Sequence, residues 1–452
     1  MTQLFALHSA YGLATASAAI DAGLLGDRER LLVPFTSARV PETVLGIARD
    51  PALRSLRNRF DRVEELDGVL GPLHPSAWKP QEADLPVLER LLSRAWNLDP
   101  NDLELMVQSP QIAPARTLLS VFPNARITII GDGLMTYSPM RVWMPHTVTT
   151  RIGRVVYADV VPGVRPLAGS PRAEPVPVPP DTFWKVLLET GEGIDARDAS
   201  GVALDDGTPT ALVLGQYLSA LGLVEPNEEI ALQQDMIDRA VRWEPQRIVF
   251  KPHPAAPPQL TDAVRHRASA YGVEFAEYGG PLAAELLAER LGARGVVAGF
   301  STALPTVRTL FGTPIDSVGT DRLLRRLSPY ENSNRIPATI ADALTRVASP
   351  YAEPARLQLL VDAVGYVMQP EVAGHLRAQA EELLGTVEAA ERDRYFSAAR
   401  LSALRLPGTP PEGALRRLAR SSGGVGRAEE LRLTAVGARR RAGRVWRAMR
   451  GR

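Results

Sequence analysis

RITIIGDGLMTY, residues 126–137, is the stretch that decides the fold. Its first five residues are mostly β-branched and show no helical period, so they read as a strand buried on both faces, the kind that parallel sheets use. Asp132 follows at once, between Gly131 and Gly133. Open α/β sheets gather their ligands at the carboxyl ends of the strands, so an acidic residue there is placed to meet one. The glycines let a substrate approach the backbone, and a carboxylate can take a proton from a hydroxyl. GDG also forms tight turns closed by an Asx hydrogen bond, so taken alone Asp132 reads first as a turn former and second as a general base.

Toward the N-terminus, apolar runs at 4–7, 31–34 and 104–107 alternate with helix-like stretches at 14–25 and 41–48. Strand, helix, strand repetition predicts a parallel sheet covered on both faces, a Rossmann-like domain over residues 1–160. VPGVRPLAGSPRAEPVPVPP, residues 161–180, is dense in proline and has no period. It reads as a stiff extended connector and a domain boundary. The alternation then resumes. Strands are expected at 210–214, 247–250 and 295–298, with helices at 228–243, 260–271 and 281–291 and another opening at Ser301. This gives a second Rossmann-like domain over 181–400. The fold class expected is α/β, GT-B-like: two Rossmann-like domains facing a central ligand cleft, followed by a basic C-terminal tail over 401–452.

Size and composition agree with that division. The 452 residues exceed what one core usually serves, and 45% hydrophobic with 23% charged residues excludes disordered and fibrous classes. No cysteine is present, which removes disulfides, thiolate nucleophiles and cysteine-held zinc, and fits a reducing compartment. The first 23 residues lack a basic leader and are interrupted by His8 and Asp21, unlike a signal peptide. No run approaches the about 20 apolar residues of a membrane span. A cytoplasmic protein is expected. From Arg416 to Arg452 there are 12 arginines against Glu429 and Glu430, interspersed with Leu418, Leu431, Val445 and Trp446. Such a tail either lies on the anionic inner face of the plasma membrane or stays solvated. Nucleic acid is disfavoured as a partner, because one tryptophan makes no stacking platform.

Two further loops carry candidate chemistry. Lys251-Pro252-His253-Pro254 follows the strand RIVF; the prolines fix the backbone around an imidazole suited to a phosphate, and Lys251 adds charge. The rival reading is a rigid turn with a solvent-facing histidine. Ser301-Thr302 opens a helix, where hydroxyls and free amides bind anions, although serine is also the common N-cap. Gln216, after the strand TALVL, reads as a nucleotide contact or as a buried polar cap. His8 and Ser9 follow the first strand, with a structural role favoured.

The order and spacing of GDGLMTY, FKPHP and GFSTAL resemble the bacterial polysialyltransferase and lipooligosaccharide sialyltransferase group, over roughly residues 4–344. The resemblance implies an inverting, metal-independent transfer from a CMP-activated sugar donor to a glycan acceptor of a cell-surface polysaccharide, with no further cofactor. It implies Asp132 as the base and His253 as the residue that binds the CMP phosphate and assists its departure. Ser301 and Thr302 would hold that phosphate or the sugar carboxylate. The chain departs from the group at Gly131, where an acid is expected. Asp205-Asp206, in ALDDGTP, reads as solvated rather than metal-binding. Two rivals stay open: a CDP-glycerol-type or other GT-B transferase, and a non-catalytic nucleotide-sugar or glycan-binding protein.

Overall fold

The computed structural model describes residues 2–37, 45–192, 201–220, 222–253 and 255–408. Short apolar runs form two wholly parallel sheets. The first contains β1 (Thr2–Leu7), β2 (Glu29–Pro34), β3 (Arg62–Val63), β4 (Leu103–Val107), β5 (Arg126–Ile130), β6 (Ile152–Ala158) and β7 (Glu174–Val178). Its order is β3-β2-β1-β4-β5-β6-β7. The second contains β8 (Thr210–Leu214), β9 (Arg247–Lys251), β10 (Glu274–Glu277), β11 (Gly295–Ala298) and β12 (Ile315–Ser317), in the order β10-β9-β8-β11-β12. Both are doubly wound, so the α/β, GT-B-like class expected from the sequence is present. Each sheet reverses its winding beside its first strand, between β1 and β4 and between β8 and β11. These switch points open the crevices where such sheets take ligands.

Register explains why the strands read so clearly. Leu4 lies opposite Leu31 on one side and Leu105 on the other, all fully buried. β6, IGRVVYA, escaped the sequence reading because Gly153 and Arg154 interrupt its apolar run. Arg154 is accommodated by an ion pair to Glu104 at 2.9 Å. Burial pushes Glu104 up, but bonds from Thr128, Arg154 and Gln3 outweigh it and hold the carboxyl below its ordinary range.

The proline-rich stretch 161–180 is not a free connector. Its EPVPV segment pairs in parallel with β6, Val176 opposite Val156, and becomes the sheet's edge strand β7. Pro175 and Pro177 are two residues apart, so their missing N–H groups both fall on the unpaired side, the one place a strand tolerates proline. The helix Pro180–Thr190 then packs between the sheets. Phe183 meets Tyr11 of the helix Ala10–Asp21 at 5.1 Å, and Trp184 meets Phe311 of the helix Ala303–Phe311 at 4.7 Å. Arg59 ties Asp21 to Glu189 of the same helix, at 2.6 and 2.5 Å. One buried apolar cluster runs through both sheets.

Late helices return to the first sheet. Gln358, on the helix Pro354–Met368, accepts a hydrogen bond from the Arg165 amide at 2.5 Å, and Leu167 presses on Gly365. Of the basic tail, residues 401–408 complete the helix Ala398–Leu404 and bury Leu401 and Leu406. The arginine-rich 409–452, Pro254, and positions 41–44 of the expected 41–48 helix lie outside the described residues; 45–48 are not helical. Among the described residues no helix is long and apolar enough to cross a membrane.

Candidate active site

The loops after β1, β4 and β5 meet at the first sheet's switch point. Ser9 caps the helix Ala10–Asp21, its Oγ accepting from the Gly12 amide at 3.0 Å. The same oxygen accepts from Gln108 Nε2 at 2.8 Å and donates to Asp132 Oδ1 at 2.8 Å. One hydroxyl thus uses its single donor and both acceptor sites. Gln108 directly follows β4; its Oε1 accepts from the His8 and Ser9 amides at 2.7 and 3.2 Å. On the other side the Asp132 amide donates to Thr136 Oγ1 at 2.7 Å. Asp132 is half-buried, and its Oδ2 has no hydrogen-bond partner among the described residues. A carboxylate oriented through one oxygen and open at the other has the form a general base needs.

His8 stands beside it, stacked on Phe35 at 5.3 Å, with a buried, unpartnered Nδ1. Burial lowers its pKa although the charge of Asp132 pulls the other way, so the ring is neutral near pH 7.

The second sheet presents three loops at its own switch point. Gln216, after β8, bonds the Phe300 backbone in both directions, Nε2 to the carbonyl and Oε1 from the amide, each at 3.3 Å. It therefore acts as a polar cap, fastening its loop to the one that carries Ser301. The adjacent Gly215 amide donates to the Lys251 carbonyl at 2.9 Å, which joins the His253 loop to the same assembly. Two fully buried residues on the helix Pro226–Ala240 hold this loop from beneath. Gln233 donates to the Gln216 carbonyl at 2.8 Å, and Glu229 accepts from the Ser219 amide at 3.0 Å and from Leu218. Neither residue was singled out from the sequence, and nor were Gln108 and Thr136. Their signal is only a polar side chain on an otherwise buried face or just past a buried strand.

Ser301 and Thr302 divide the work. Ser301 Oγ accepts from the Ala303 amide at 3.2 Å, a capping bond at the start of the helix Ala303–Phe311. Thr302 Oγ1 turns to the other domain and accepts from the Leu134 amide at 3.2 Å. The approach is close. Gly133 has φ +55°, and a Cβ there would fall 2.4 Å from Thr302 Oγ1, so only glycine fits. Gly131 is equally confined, since a Cβ would lie 2.8 Å from Tyr157 Cβ and 3.0 Å from Thr136 Oγ1. An acid at 131 would have to displace Tyr157 or Thr136.

His253 is more loosely held. Its Nδ1 accepts from the Ala255 amide at 3.2 Å, which leaves Nε2–H as the donor of the neutral ring. Burial lowers its pKa, against the raising effect of Glu229. His253 and Lys251 line a cavity of about 470 Å³ whose walls, including Thr261, Tyr278 and Gly280, all come from the second sheet's domain. Lys251 Nζ donates to the Gly280 carbonyl at 3.1 Å and sits 4.9 Å from the Tyr278 ring centre. Asp132 does not line this cavity; the structure joins its loop to the second domain through Leu134 and Thr302, and the Gln216 loop lies between Thr302 and His253 in the sheet order. Asp206 is exposed, as expected, and forms a two-pronged ion pair with Arg247 at 2.7 and 2.9 Å, which anchors β9. Among the described residues no group of three or more His, Asp or Glu is arranged to hold a metal.

A sequence model of the alpha-2,8-polysialyltransferase family (POLYST) matches residues 3–317, which include all three loops. The chain belongs to that family. Membership makes the protein a glycosyltransferase. No curated protein matches the chain. Among solved structures it is similar to UDP-GlcNAc 2-epimerase from Neisseria meningitidis bound to UDP-GlcNAc, at 12% identity over 90% of this chain and 98% of that one, with a TM-score of 0.43. It is also similar to a glycosyltransferase from Rickettsia africae ESF-5, at 10% identity, 89% and 98% coverage and a TM-score of 0.38. Acinetobacter baumannii MurG matches at 10% identity, 83% and 97% coverage and a TM-score of 0.39.

Proposed function

We propose that the protein is an inverting transferase that moves sialic acid, or a related CMP-activated sugar, to a glycan acceptor of a cell-surface polysaccharide. Asp132 Oδ2 takes the proton as the acceptor oxygen attacks the anomeric carbon. The bond from that carbon to the phosphate oxygen breaks, and the electron pair leaves with CMP. Nε2–H of His253, the amides at the start of the Ala303–Phe311 helix and the charge of Lys251 stabilise the phosphate as charge grows on it. Gln216 fixes the loop on which the nucleotide rests, and Gly133 lets the Asp132 loop close onto Thr302 of the other domain. Attack opposite the leaving group inverts the anomeric centre.

The observation that carries this reading is the Leu134–Thr302 hydrogen bond, which brings the loop of the oriented carboxylate onto the helix start of the other domain. We further propose a cytoplasmic location, with the arginine-rich tail resting on anionic lipid. CMP release from CMP-sialic acid, measured with and without an oligosaccharide acceptor, tests the reaction. Acceptor-dependent release that disappears in a folded Asp132→Ala variant supports it, and undiminished release in that variant refutes it. The Lys251-Pro252-His253 segment would equally suit CDP-glycerol, so a parallel assay with that donor separates the two chemistries.

A further inference from the structure

The proposed transfer makes no use of His8, which follows β1 and directly precedes Ser9. Ser9 donates to Asp132 Oδ1 at 2.8 Å, and the charge of Asp132 acts on the His8 ring, so the imidazole stands within the field of the base. The His8 amide donates to Gln108 Oε1 at 2.7 Å, and just before it the Leu7 carbonyl accepts from the Phe35 amide at 3.1 Å. The ring lies on that of Phe35, with centroids 5.3 Å and planes 28° apart. Backbone and ring plane are both held before a substrate arrives.

The two ring nitrogens differ. Nδ1 is buried without a partner, so no ligand reaches it. The side chain is nevertheless partly exposed, and Nε2 is open and unpaired among the described residues. An enclosed nitrogen with no partner costs less as a bare lone pair than as an orphaned N–H. The proton of the neutral ring therefore sits on Nε2. The other side chains around Asp132 have no donor to spare. Ser9 spends its single O–H on the carboxylate, Gln108 Nε2 turns to Ser9, and Thr136 is 4% exposed. Of these four residues, His8 is the one that offers an open donor to a substrate.

We propose that His8 binds the acceptor, donating from Nε2–H to a sugar oxygen beside the hydroxyl that attacks. The assignment rests on Asp132 as the base and supplies a second point of contact. The attacking hydroxyl gives its proton to Asp132 Oδ2 while a neighbouring oxygen of the same sugar unit accepts from His8. Two points of contact fix which hydroxyl of a polyol is presented to the anomeric carbon. His8 belongs to the first sheet's loops, whereas the groups that stabilise the nucleotide phosphate belong to the second. It therefore governs affinity for the acceptor and not for the donor.

Initial rates of CMP release from CMP-sialic acid, with α2,8-linked trisialic acid as the acceptor probe, test the assignment in the full chain, alongside CMP binding by calorimetry. His8→Phe keeps a ring on Phe35 and loses only the Nε2–H donor, since Nδ1 bonds nothing. Acceptor KM should rise about five- to tenfold, the worth of one hydrogen bond, with CMP affinity unchanged. His8→Gln, whose amide nitrogen reaches the place of Nε2, should recover part of that loss. His8→Leu takes the place of the phenylalanine variant should the larger ring crowd the site. An unchanged acceptor KM, or weakened CMP binding, overturns the assignment; the transferase reading still stands if the wild type turns over and Asp132→Ala does not. A wild type that releases no CMP removes that reading, and this assignment with it.

Discussion

The Asp132 loop and the His253 loop occupy corresponding ends of two similar sheets, yet they are held very differently. Asp132 is fixed by Ser9 on one side and Thr136 on the other, and its loop is bonded to Thr302 across the domain boundary. His253 is exposed, and among the described residues its ring has one hydrogen bond, from the Ala255 amide. On the proposed reading, the contrast teaches that the proton-accepting carboxylate is braced by side chains before any substrate arrives, whereas the phosphate-facing imidazole is held only through its backbone, on a loop tied to its neighbour by the Gly215–Lys251 bond. Preorganisation matters most where charge and proton move together.

The strongest attempt to break this contrast is to remove the base. Asp132→Ala should lower acceptor-dependent CMP release by about 10²–10⁴-fold without altering the fold, as followed by circular dichroism. Weakening its brace with Ser9→Ala should preserve some turnover, and a loss as large as that of Asp132→Ala would mean that the serine itself does chemistry.

Next in size is the imidazole. His253→Ala should cost about 10²-fold, the usual loss of one well-aimed donor. His253→Asn keeps an N–H and should recover part of it. Because burial sets the pKa of His253 below the ordinary imidazole value, the free enzyme carries it neutral at pH 7. Acidification through that lowered pKa protonates Nδ1 and breaks its bond from Ala255, so kcat/KM should fall on the acid side and stay level from about 7 to 8. A rise in kcat/KM on acidification would make the charged imidazolium, and not the neutral ring, the working form.

A smaller effect is expected from restoring an acid next to the base. Gly131→Asp forces a side chain against Tyr157 and Thr136 and should destabilise the protein by about 1–3 kcal/mol in urea unfolding. It should not raise activity. Smallest is Gln216→Ala, which releases the β8 loop from Phe300. Donor KM should rise a few-fold with kcat nearly constant, about the worth of one or two hydrogen bonds. A kcat effect instead would place Gln216 among the reacting groups.

Much of the fold was legible because isoleucine, leucine and valine runs such as ITII and TALVL report burial directly. β6 and β7 were not, since Gly153, Arg154, Pro175 and Pro177 disguise a strand whose pairing is decided by its neighbour. Asp132, His253 and Ser301 could be picked out because each follows a readable strand. Gln108, Glu229 and Gln233 could not, because their partners lie on separate elements and only the folded register brings them together. The same limit applied to Thr302, whose hydroxyl reaches the other domain while its sequence position suggests only a helix start.

A crystal structure of the protein with bound CMP tests the central claim most directly. The account predicts the phosphate within about 3.5 Å of His253 Nε2 and of the amides that open the Ala303–Phe311 helix, on the side facing Asp132. CMP seated away from both loops, with Asp132 turned to a different surface, would contradict it.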